Sequence, residues 1–567
     1  MDMDKNNKVN RLAIIGEVLL FAIIIYIRFS WFDEHFTHYD DIKVAQLTNY
    51  SIDVFQMNFS HWVDGGTLSK EMYNLLYLLL SKPYNWIIYA INFSKYWHYA
   101  PGQFFFTFAL LPYAYDYDSI KFFGRFPSLI LGIFALLLCW KVIRKCTDSN
   151  AIAFFGTAML GFSWQAIIYC MSMGNYESII FLGFLTCLLL MFTLKNDHLK
   201  KWILLAISVG IMSWFQYQAL CLFGGIAFVF LCRYLKQKIK LKYLFINTTV
   251  LCISYAVVVL PLLSFACMDG SPTWNAGPNG EYLFHPTFNI VYIIKFFLYN
   301  SGKIFKTMLS PVPLGEKSAN LIACFYVILF LIGLIFSIFK ESENEFAHYL
   351  SIFSCGVIFV QYFFVLLGKF TLSPTRHSNI LIPMFILECS LGMYYMTNKI
   401  KNLHIKKFLP LILGICIGIN WFNYSGEVKK ERTDLFTVQT IESIISKYNP
   451  DMVIDCTAPQ LWYLLGQEYS RREIIDYQTD FYDLDDDSYN NKTILIVSHV
   501  NEINQEILNY CKNELVDRNY LSAIDVEKLL TTSPFEHYEN RGEADFDFYN
   551  VTNGACNGMF YSVFKLE

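Results

Sequence analysis

Long runs of apolar side chains, each closed by a short polar or basic connection, repeat along most of this chain. Because roughly 20 apolar residues match the hydrocarbon thickness of a bilayer, the pattern predicts about eleven membrane-spanning helices. They fall near residues 12–30, 120–141, 150–169, 176–194, 201–217, 218–233, 245–267, 320–339, 347–367, 378–396 and 406–421. Basic residues set the expected orientation. Lys5, Lys8 and Arg11, then Lys141 to Lys145, Lys195 to Lys201, Arg233 to Lys242 and Lys399 to Lys407 all fall on one side, which the positive-inside bias makes cytoplasmic. An odd number of crossings places the C-terminal residues outside. The first run is expected to remain as a span, since Trp31-Phe32-Asp33-Glu34 offers no small-residue cleavage site.

One stretch tests this arrangement. Residues 102–111 (GQFFFTFALL) are apolar enough to cross, and a crossing there would put Lys141 to Lys145 on the wrong side. The stretch is short and bounded by Pro101 and Pro112, so an interfacial or re-entrant helix is expected. Alternatively, residues 72–93 also cross, which restores the parity.

Composition agrees with the pattern: 55% hydrophobic, 18% aromatic and 16% charged over 567 residues, with mean hydropathy +0.35. So much apolar surface does not fit one water-soluble core, and the fold class expected is a polytopic α-helical membrane protein. A net charge of −4 carries no sign of a nucleic-acid partner. Of fifteen cysteines, all but Cys456, Cys511 and Cys556 lie in or beside apolar runs, where Cys acts as a small hydrophobe. No Cys/His metal spacing occurs.

Two long loops and a tail complete the expected organisation. Residues 31–119 form an external loop rich in Trp and Tyr, whose helices are expected to lie along the membrane surface. Residues 268–318 form another, opened by a Gly- and Pro-rich run, Asp269 to Gly280, that suits a lid. The transmembrane part is expected over 1–424 and a small soluble α/β domain over 425–567. In the latter, Met452-Val453-Ile454 and Thr493 to Val497 read as buried strands and 502–515 as an amphipathic helix. The acidic run Asp483 to Asp487 reads as a solvated loop, or as a cation site lacking the Gly and terminal Glu of a calcium loop.

Candidate chemistry gathers at the external boundary. After the first span stand Asp33, Glu34, His35, His38, Asp40 and Asp41, where a partly desolvated carboxylate is suited to take a proton from a hydroxyl or amine. Glu177 is the one acid of the next external turn, Met171 to Ser178. Charged groups so near hydrocarbon are paired or functional. Arg376 and His377 stand in a later external turn, on the side where the positive-inside bias disfavours Arg, and a guanidinium fork suits a lipid phosphate.

In their order along the chain these residues resemble the GT-C superfamily of polyprenyl-phosphate-dependent glycosyltransferases, and within it the protein O-mannosyltransferase and aminoarabinose-transferase group. His38-Tyr39-Asp40-Asp41 looks like that group's first-loop acidic pair. His98-Tyr99-Ala100-Pro101 looks like its His-Pro-Pro-Leu-Tyr segment, and Gly124-Arg125-Phe126-Pro127-Ser128-Leu129 like its Arg-Leu-Pro-Ser segment. The similarity runs over residues 12–400 and leaves out the tail. Asp33-Glu34 matches the group's dipeptide literally but abuts the first span, so the base is divided between the two pairs, with Asp40 or Asp41 ahead.

The resemblance implies transfer of a sugar from a polyprenyl-phosphate-linked donor to an external glycolipid, glycan or protein acceptor. It implies inversion, with Asp40 or Asp41 as base, Glu177 as the second acid, and Arg376 with Arg125 or His377 balancing the phosphate. No organic cofactor is implied, and a divalent metal stays open, since one branch of the superfamily uses one. The rival classes are a transporter leaning on the intramembrane acids Glu17 and Glu388, and a non-catalytic scaffold.

Overall fold

The structure, a computed structural model, describes residues 16, 18–30, 69–97, 99–110, 117–195, 198–237, 241–262, 284, 287, 289–308, 316–339, 344–373, 376–432, 452–456, 473–476, 493–499 and 559–565. Two compact units divide the chain: Met1–Phe32, Ile52–Pro112 and Arg125–Val428 make the first, and Asp33–Ser51, Tyr113–Gly124 and Lys429–Glu567 the second.

The helices are α1 (Val18–Ser30), α2 (Lys70–Trp97), α3 (Gly102–Leu110), α4 (Tyr117–Thr147), α5 (Asn150–Gly161), α6 (Trp164–Cys170), α7 (Tyr176–Lys195) and α8 (Leu199–Ser213). They continue as α9 (Ala219–Lys236), α10 (Leu241–Val259), α11 (Ile290–Met308), α12 (Glu316–Phe339), α13 (Glu345–Leu366), α14 (Leu381–Asn398) and α15 (Leu403–Arg432). Among the described residues, seven (α4, α7, α9, α10, α12, α13 and α15) are long and apolar enough to cross a membrane, or eight if α5 and α6, bent by 62°, make one broken span.

Among the described residues, seven or eight is fewer than the eleven expected: α1 is described continuously only from Val18, α8 has 15 residues, and α14 carries Pro383, Glu388 and a polar last turn. Residues 102–110 form a nine-residue helix, about 14 Å long at 1.5 Å per residue, which is too short to cross. The 72–93 stretch lies in the 28-residue α2, which has Pro83 inside it and is not among the apolar spans. Within the 268–318 loop the described part is mainly the helix α11, while the Gly/Pro run lies outside the described residues.

Burial runs opposite to that of a soluble protein at the rim and alike at the centre. Nearly all side chains of α5, α6, α7 and α14 are buried. By contrast α10 and α15 expose Phe245, Ile246, Ile253, Val257, Ile412, Ile415 and Ile419, apolar groups suited to lipid. Apolar burial adds little drive between helices in lipid, so close backbone approach and hydrogen bonds must hold them. Glycine supplies that approach where α12 meets α14: a Cβ on Gly392 would overlap the Leu329 carbonyl oxygen, and one on Gly333 the Glu388 carbonyl oxygen. Beside this crossing, the Ser351 hydroxyl of α13 donates to the fully buried Glu388 carboxylate at 2.9 Å.

Gly392→Leu is therefore expected to separate α12 from α14, lowering stability by at least about 1–3 kcal/mol, the usual cost of overpacking. Gly302→Leu, with open space around the Cβ, is the matched control. Thermal melting of both variants in detergent, followed by size exclusion, checks this; equal melting would refute the crossing.

In the second unit, β1 (Met452–Cys456), β2 (Glu473–Asp476), β3 (Thr493–His499) and β4 (Met559–Lys565) form one sheet in the order β2-β1-β3-β4. β1 runs parallel to β2 and β3, whereas β4 is antiparallel to β3, with Thr493 opposite Lys565. The two strands predicted near 452–454 and 493–497 are β1 and β3. The helix predicted over 502–515 and the acidic run 483–487 lie outside the described residues.

Candidate functional site

The turn between α6 and α7 is the centre of the site. After Cys170 the helix closes through Met171 N–H to the Ile168 carbonyl, and Gly174 N–H bonds to the Ser172 hydroxyl at 3.0 Å. Three neighbours grip this turn. From α3, the buried Gln103 side-chain amide donates to the Gly174 carbonyl and lies 2.6 Å from both that oxygen and the Ser128 hydroxyl of α4. Ser128 itself donates to Gly174 O at 3.2 Å. The Asn175 amide donates to the Phe215 carbonyl at 3.0 Å. Such a network pairs the Gly174 carbonyl with the Gln103 and Ser128 donors away from water.

Glu177 lies in the first turn of α7 with its side chain fully buried. Its partner is Arg28 of α1, equally buried, with Nη1 at 3.7 Å from Oε1. Sequence alone does not pair Arg28 with Glu177. The signal was present, however, since a lone guanidinium at the end of an apolar helix needs a partner and Glu177 is the only acid of its turn.

The later basic pair meets the same turn. Arg376 opens the 3-10 turn Arg376–Ser378, and its guanidinium lies 5.2 Å from the ring centroid of Tyr176, a cation–π contact. Asn379 donates to the Tyr176 carbonyl at 3.4 Å. The His377 carbonyl accepts from the Gln218 and Gln361 amides at 2.5 and 3.2 Å, tying the 3-10 turn to α9 and α13. Arg125 is fully buried on α4, one helical turn before Ser128.

Four elements thus bring together Glu177, Tyr176, Arg376 and the Gln103–Ser128 pair, although these residues are far apart in the sequence. Asp33, Glu34, Asp40, Asp41 and His98 lie outside the described residues. Among the described residues, no three His, Cys, Asp or Glu side chains converge to hold a metal ion.

The family described as dolichyl-phosphate-mannose-protein mannosyltransferase matches residues 118–264, the segment that carries Arg125, Ser128, Glu177 and Gln218. The resemblance drawn from Gly124 to Leu129 is met by this match over that segment. Among solved structures the chain is similar to ArnT from Cupriavidus metallidurans in its apo crystal form, at 10% identity, over 73% of this chain and 84% of that one, with a TM-score of 0.31. No curated protein matches the chain.

Proposed function

We propose that this chain is a multi-pass membrane glycosyltransferase that moves a sugar from a polyprenyl-phosphate-linked donor to a glycolipid, glycan or protein acceptor outside a bacterial plasma membrane. The carrying observation is the mannosyltransferase family match over residues 118–264, which covers the turn on which the buried residues converge. In this reading Asp40 or Asp41 takes the acceptor proton and the acceptor oxygen or nitrogen displaces the lipid phosphate with inversion at the anomeric carbon. Glu177 is the second acid. Arg376, with Arg125 or His377, balances charge on the departing phosphate in a low-dielectric setting where each fixed charge counts for more. The C-terminal sheet belongs to an α/β domain on the external side, and the N-terminus is cytoplasmic. Mass spectrometry of cell-envelope glycolipids and glycoproteins with and without the protein tests the reading: loss of one defined sugar modification is expected, and unchanged profiles would defeat it.

Orientation has its own test. Asn175 and Ser373 are buried and unsuited to labelling, whereas Lys369 and Asn402 are exposed. A cysteine at Lys369 is expected to react with an impermeant thiol reagent from outside, and one at Asn402 only after permeabilisation. The opposite pattern would invert the arrangement.

Arg376 supplies a further expectation. Arg376→Lys keeps the charge and loses the planar fork, so affinity for a polyprenyl-phosphate analogue should fall less than in Arg376→Ala, where a bond to an ionised group worth about 1.5–3 kcal/mol is lost. Equal dissociation constants for wild type and both variants would leave Arg376 as a surface anchor.

A further inference from the structure

The Arg28–Glu177 pair is more than a contact between two helices. The guanidinium sits where α4, α6 and α7 converge: a Cβ on Gly132 of α4 would overlap Arg28 Nη1, would lie 2.9 Å from the Cys170 Cβ at the end of α6, and would lie 3.1 Å from Glu177 Oε1. Gly132 is thus the space through which Arg28 reaches the base of the 171–176 turn. The ion pair is long at 3.7 Å, and among the described residues all three guanidinium nitrogens and both Glu177 oxygens lack a hydrogen-bond partner. A pair this long, with no hydrogen bond between the two groups, lacks the strength of a charge-assisted bond and so contributes little to stability by itself. What the charges do supply is a fixed mutual placement of two elements.

We infer that Arg28 is a positioning residue: it pins the exit of α1, from which the first acidic loop departs, against the turn that carries Glu177. The pinned end therefore fixes the last turn of α1 relative to Glu177 and, through Tyr176, to Arg376. Gly132 acts in the same device by leaving the guanidinium its place. This inference rests on the glycosyltransferase reading for its catalytic consequence, whereas the tether itself does not.

The experiment uses the full chain in lipid vesicles, with spin labels introduced as a non-natural amino acid at Phe29 of α1 and Phe192 of α7, both exposed, so that the native cysteines remain. A narrow distance distribution is expected in the native background. It should broaden in Arg28→Met and in Gly132→Ala, where a methyl evicts the guanidinium while both charges stay in the chain, and remain narrow in Arg28→Lys. Turnover should fall roughly 100-fold in Arg28→Met and Gly132→Ala, the scale of loss from ångström-level misplacement, with KM for the donor unchanged and Arg28→Lys recovering to within about tenfold of the native rate. Unchanged distances in Arg28→Met overturn the inference, as does turnover that falls only in proportion to the folded protein recovered. If the native protein transfers no sugar while the distances respond as expected, the glycosyltransferase reading fails and the tether stands.

Discussion

Asp40→Asn and Asp41→Asn are expected to separate, one of them lowering sugar transfer by at least about 100-fold and the other leaving it close to the native rate, because a single carboxylate must take the acceptor proton. Asn preserves size and hydrogen-bonding shape but cannot accept that proton. Donor binding should survive better than turnover, since the base engages the acceptor and not the lipid phosphate. Initial rates in vesicles, measured beside binding of a polyprenyl-phosphate analogue, separate the two effects. If both Asn variants keep full activity while Asp33→Asn or Glu34→Gln loses it, the base belongs to the pair next to the first span. If all four retain activity, the first loop does not hold the base.

Hydropathy made much of the helical order legible, because it reports apolar length directly. It placed α7, α9, α12 and α13 within a few residues of where they lie, and the bounding prolines marked 102–111 as too short to cross. Among the described residues, expected spans miss the length and composition of a crossing where the helix is short, as in α8, or interrupted by polar groups, as at Glu388 in α14. The amphipathic α11 falls within an expected loop because Lys295, Lys303 and Lys306 interrupt its apolar residues and keep them short of a span-length run. At the site, Glu177 and Arg376 stand out because charge beside hydrocarbon is costly, and Arg125 and Ser128 only through the segment that resembles Arg-Leu-Pro-Ser. Gln103 does not, since a neutral amide becomes informative only when folding brings it, with the Ser128 hydroxyl, onto the Gly174 carbonyl. Arg28 was visible as a residue but not as a partner, because 149 positions separate it from Glu177 and only packing joins them.

That long-range pairing leads to the second large effect. Glu177→Leu removes the one carboxylate paired with the buried Arg28 among the described residues, so it is expected to destabilise the protein by about 3–5 kcal/mol. Arg28→Met should cost a similar amount by stranding the carboxylate. The double variant Arg28→Met/Glu177→Leu strands neither charge, and its stability should return to near the native value or exceed it, since the desolvation cost of both ions disappears together. Unfolding of the four proteins in mixed micelles, followed by tryptophan fluorescence, closes the cycle. Additive losses in the double variant would mean that the two side chains act independently and that the pair does not hold the helices. Recovered stability with turnover still depressed would assign the charges to placement of the reacting groups, because packing alone then suffices to keep α1 and α7 together.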